Sequence, residues 1–79
     1  MVRNEMKERQ RVAAGKVRAA EDAVAELRDG LAAVGVTLPS LRIDPVSCAG
    51  NEPNPLVELG RCTVETALRL SAVLEGARR

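Results

Sequence analysis

Cys48 and Cys62 are the only thiols of this 79-residue chain, and it has no histidine to assist either of them. A nucleophilic Ser, Thr or Cys needs a base beside it, and without histidine only a carboxylate or a neutral lysine could serve. Asp44, Glu52 and Glu58 lie near the loop that holds Cys48, and no spacing marks them out among the 11 Asp and Glu of the chain. Neither cysteine lies in a CxxC pair, so one chain cannot supply a structural zinc site, although two chains could pool four thiolates. A disulfide between them would close a loop of about 15 residues and contribute roughly 3 kcal/mol in the chain-entropy picture. In a reducing compartment the two read instead as small buried hydrophobes. The six glycines are scattered singly and build no phosphate cradle. The expectation is therefore a protein that is not an enzyme, with no catalytic, cofactor-binding or metal-ligating residue and no cofactor.

Charge is the feature that points outward. The first 18 residues carry Arg3, Lys7, Arg9, Arg11, Lys16 and Arg18 against Glu5 and Glu8, while acids outnumber bases in the remainder, so the net charge of +1 hides a dipolar chain. A basic helical arm ahead of a coiled-coil-like segment is the layout of dimeric DNA readers whose helices fork across the major groove. Against that reading, the two acids interrupt the run and the bases do not share one clean face. Solvated or interhelical charge, an acidic protein partner and nucleic acid all remain open for these six residues.

The elements that must hold these groups can be drawn from periodicity. Residues 3–34 are predicted to form one long helix, with an alternating 3 and 4 spacing through Arg3, Met6, Gln10, Ala13, Val17, Ala20, Val24, Leu27, Leu31 and Val34. From Ala13 onward every seam position is apolar, and the opposite edge carries Glu8, Gly15, Asp22 and Asp29. Asn4 is a candidate cap, and Gly35 is placed to end the helix in a left-handed conformation. Gly30 is an alternative end. A helix of about 32 residues is roughly 48 Å long, wider than any globule this chain could form.

Residues 36–54 read as a return arm. The prolines Pro39, Pro45 and Pro53 forbid a continuous helix, yet Val36, Leu38, Leu41, Ile43 and Val46 are too apolar for an exposed linker. The arm is expected to pack back along the first helix. A second, shorter helix is expected over about 55–77, started by Asn54-Pro55 and broken at Gly60, with Thr63 as a second candidate cap. Its apolar face, from Val64 through Leu68, Leu70 and Leu74 to Ala77, is broader than a two-helix seam requires.

Two stretches, Leu38-Pro39-Ser40-Leu41-Arg42-Ile43-Asp44-Pro45-Val46-Ser47-Cys48-Ala49-Gly50 and Pro55-Leu56-Val57-Glu58-Leu59-Gly60-Arg61-Cys62, resemble segments of short uncharacterised helical proteins of actinobacteria. The resemblance covers roughly residues 36–74. It implies a bacterial, cytoplasmic setting and attaches no activity or residue role.

Zero aromatic residues leave the core to Leu, Val, Ala, Met and one Ile, which is thin for a chain that buries only about 60% of its unfolded surface. No apolar run approaches the length of a membrane span. The expected fold is all-α: a helical hairpin of a long first helix, a proline-containing extended arm and a shorter second helix, completing a dimeric four-helix bundle. Val17, Ala20, Val24, Leu27, Leu31 and Val34 are the candidate partner interface. The corresponding function is a regulatory or protein-interaction module acting through that seam and the arm, as a homodimer or with another protein. A small dimeric nucleic-acid-binding protein using the basic first 18 residues is the alternative.

Overall fold

The computed structural model describes the backbone of residues 2–78 and the side chains of residues 11–78. The chain is mainly helical: α1 spans Val2–Ala33 and α2 spans Val64–Ala77. Between them lie β1, Arg42–Ile43, a single 3₁₀ turn at Val46–Cys48, and β2, Val57–Glu58. Helix α1 passes Gly30 without a break, and it is already helical at Asn4, which is therefore an interior residue rather than a cap.

The end of α1 follows from Gly35. Its φ of 76° is left-handed, and its amide donates to the Ala32 carbonyl at 3.1 Å while the Val36 amide donates to that of Leu31 at 2.8 Å. These paired bonds satisfy carbonyls that a helix end otherwise strands, and the motif brings the residue after glycine onto the last turn. Val36 is only 2% exposed and shares the core with Leu31, Val24 and Leu41. The reversal at Gly35 thus starts the arm back along the helix it has just left.

A second turn keeps the arm in place. Pro39 follows Leu38 in a turn closed by the Leu41 amide on the Leu38 carbonyl at 3.2 Å, proline supplying the fixed φ that such a turn requires. Leu41 is buried as a result, and its carbonyl accepts from Arg28 Nη2 of α1 at 2.9 Å. Strand β1 then pairs antiparallel with β2, Arg42 opposite Glu58 and Ile43 opposite Val57.

Two expectations are corrected here. The second helix begins at Val64, not at 55: the Asn54 amide donates to the Ser47 carbonyl, the Leu56 amide to Ser47 Oγ, and the Leu56 carbonyl accepts from Asp44. Those groups are committed to the arm, and Gly60 at φ 78° closes off the stretch before a helix could nucleate. The fold is also not a closed hairpin of packed helices. Leu70 is the side chain of α2 that meets the core, which is otherwise made by α1 and the arm.

The molecule is elongated as a consequence. Its principal extents are 55 × 25 × 17 Å with a radius of gyration of 16.7 Å, whereas a compact chain of this length would have about 12 Å.

Candidate protein-interaction surface

The α1 seam is divided by its own arm. Val24 and Leu31 are buried in the protomer, Val17 and Ala20 are half-buried, and Leu27 and Val34 remain exposed. An arm one chain wide covers a stripe of the helix, and the covered stripe is the one running through Val17, Val24 and Leu31. Farther down the helix, buried Pro53 and half-buried Cys48 line an open groove with Ala13, Ala14 and Val17. The small alanines let the arm approach α1 there.

Helix α2 is the larger uncovered element. Thr63 caps it, its hydroxyl oxygen accepting from the Thr66 amide at 3.1 Å, so the second of the two caps legible in the sequence is the one used. Thr66, Leu70 and Val73 are half-buried and define the face turned toward the protomer. At 100° per residue, Val64, Leu68, Ser71 and Glu75 lie on the other side, with Ala67 and Leu74 on the flank between. Val64 is 77%, Leu68 66% and Leu74 57% exposed. Only Glu65, Arg69 and Glu75 of its fourteen residues are charged, and none of the fourteen is buried. A helix apolar nearly all round belongs in an interior. Here it stands on the outside.

The charges around this face are already matched. Arg69 pairs with Glu65 at 3.3 Å one turn away and also donates to the Gly35 carbonyl at 3.2 Å, and Arg78 pairs with Glu75 at 3.1 Å. Exposed pairs like these contribute little stability. In the arm, Leu56 and Leu59 add further exposed apolar surface just before α2 in the chain.

The chemistry-bearing residues are dispersed. Asp44 is spent on the arm, its Oδ1 accepting from the Val46 amide at 3.1 Å and its carbonyl accepting from the Ser47 hydroxyl at 2.7 Å. Glu58 Oε2 holds Arg42 Nε at 2.8 Å across the strands, and Glu52 is exposed. Cys48 is half-buried and Cys62 exposed, which corrects the expectation of two buried thiols. Among the described residues no three His, Cys, Asp or Glu side chains gather at metal-binding distance. Nor is any described helix long and apolar enough to cross a membrane.

Of the basic candidates, Arg3, Lys7 and Arg9 lie outside the described side chains. Arg11, Lys16 and Arg18 are exposed, with Lys16 on the opposite flank of the seam from the other two. Two residues that matter most to the arm carried no motif in the sequence. Arg28 anchors Leu41, and Ser47 ties Asp44, Asn54 and Leu56 together. Serine in a proline-containing loop was the only available hint for Ser47.

No protein-family model, curated protein or solved structure matches the chain.

Proposed function

We propose that the protein is a non-enzymatic protein-interaction module, regulatory in role, that works as one part of a helical assembly. The observation that carries this reading is area. The chain exposes 6587 Å², where a compact protein of 8.4 kDa exposes about 4,600 Å². The excess, about 2,000 Å² by that scaling, is the amount one subunit contributes to a large permanent interface rather than to a transient encounter. Among the described residues, the exposed apolar side chains of α2, the open edge of α1 at Leu27 and Val34, and Leu56 and Leu59 of the arm contribute apolar area to that surface. A four-helix bundle of two α1 and two α2 helices is the simplest arrangement that covers them.

Thermal unfolding followed over a hundredfold range of protein concentration, with an apolar dye as a second readout, tests the reading. An assembling module melts at higher temperature as concentration rises, or binds the dye while unpartnered. A dye-negative chain with a cooperative, concentration-independent melt would contradict it. Titration of duplex DNA at low salt tests the nucleic-acid alternative, whose affinity must fall steeply as salt rises.

A further inference from the structure

We propose that α2 is a hinged element that leaves the unit formed by α1 and the arm as one piece about Gly60. Arg69 on the Gly35 carbonyl and Leu70 against the core hold it in the docked position. The proposal stands apart from the question of what the protein binds.

The connection into α2 has the features of a pivot. Gly60 is closely seated, since a Cβ there would lie 2.5 Å from Ser40 Cβ, and this fixes it against the turn that contains Pro39 and Ser40. Beyond it, among the described residues, no backbone hydrogen bond ties Arg61 or Cys62 to the rest of the chain, and both are exposed. A glycine at φ 78° held on one side, followed by two residues with free backbones, lets the chain beyond it turn while the arm stays in place.

The docking of α2 is narrow. None of its fourteen residues is buried, and among the described residues Leu70 is the α2 side chain that packs against the buried cluster. Arg69 makes the hydrogen bond that joins α2 to the rest, Nη1 donating to the Gly35 carbonyl at 3.2 Å while Nη2 holds Glu65 at 3.3 Å. No basic residue stands in the last turn of α1, so Arg69 brings the cation that complements the negative end of that helix. The Thr63 cap and the Glu65–Arg69 and Glu75–Arg78 pairs are internal to α2 and its flanks. A break at Arg69 and Leu70 therefore releases the whole helix. It leaves untouched the bonds that hold the arm, from Arg28 to Leu41 and from Ser47 to Asp44 and Leu56.

Release also melts the helix. Fourteen residues alone in water form a marginal helix, so undocking and loss of α2 structure are one step. With one exposed hydrogen bond and one half-buried leucine to hold α2, the released form belongs among minor states populated at roughly 0.1–10%. It bares the side of the core under Leu70 together with the Gly35 carbonyl. Whatever binds one position of α2 better than the other shifts the balance by that difference.

Amide hydrogen exchange of the full chain tests the hinge, read in its low-concentration limit so that protection gained by self-association is set aside. Amides from Leu68 to Leu74 should share one protection, at least about tenfold below that of Val36 and Leu41 in the arm. Equal protection in α2 and the arm would overturn the proposal, because the two would then open together. A gradient falling from Leu70 toward both helix ends would overturn it as well, since that is fraying. Leu70→Ala keeps helix propensity and should speed α2 exchange about tenfold while Val36 and Leu41 keep theirs. An equal loss at all of them would make α2 part of one cooperative core and contradict the hinge. Arg69→Met retains the aliphatic stem and should speed α2 exchange about fivefold. Loss of the pair with Glu65 alone accounts for about twofold. A change no larger than that would overturn the part assigned to Arg69.

Discussion

At the scale of single residues, three small side chains decide the path of the backbone. Gly35 and Gly60 share a left-handed φ, 76° and 78°, but their surroundings differ: a Cβ at Gly35 would meet open space, while at Gly60 it would sit 2.5 Å from Ser40 Cβ. The left-handed penalty alone is about 1–2 kcal/mol. Gly35→Ala should therefore cost about that much, and Gly60→Ala distinctly more, because the turn at Ser40 must also move. Urea midpoints of the two variants make the comparison; equal losses would mean the Gly60–Ser40 contact carries no weight. Ser47 is the third. Its hydroxyl donates to the Asp44 carbonyl at 2.7 Å and accepts from the Leu56 amide at 2.8 Å. Ser47→Ala removes both bonds and should destabilise the arm by about 1–2 kcal/mol. By contrast Arg42→Ala breaks only an exposed pair with Glu58 and should change stability by less than about 1 kcal/mol.

At the scale of elements, the arm rather than the second helix forms the core with α1. Arg28 is its tether, and Arg28→Ala should speed amide hydrogen exchange at Asp44 and Leu41, whose amides close the strand pairing and the Leu38–Leu41 turn, while exchange within α1 stays as it was. Unchanged exchange in the arm would show that burial of Val36 and Leu41 holds it without the tether. What the sequence revealed of these elements depended on range. The α1 seam repeats over four heptads and ends at a glycine, both local signals, and the helix runs where they place it. Thr63 with Thr66 three residues later marked the α2 start equally well, once Gly60 is taken as a break. The β1–β2 pairing left no trace, since two-residue strands are too short to show alternation, and their register is set by Ser47 and Asp44 reaching across the loop. The hairpin expectation failed for a related reason. Periodicity shows that α2 has an apolar face but not which way the turn at Gly60 aims it. Among the candidate interface residues, those on the Val17–Val24–Leu31 stripe are occupied by the arm, and the larger uncovered face belongs to Val64, Leu68 and Leu74.

At the scale of the whole molecule, the absence of aromatic side chains has a visible outcome. Among the described residues, four buried aliphatic side chains, Val24, Leu31, Val36 and Leu41, make up the core of a chain 55 Å long. Such a core is small for 79 residues, and oligomerisation is one of the usual ways in which short chains supply what a core of that size lacks. The radius of gyration of 16.7 Å and the outward apolar face of α2 follow from the same deficit. Both are explained if the folded unit is two chains. The most direct measurement is the solution mass by light scattering during size exclusion at micromolar concentration. A single peak at twice the chain mass of 8.4 kDa is the predicted result. A sharp peak at 8.4 kDa from a chain that also melts cooperatively would contradict it.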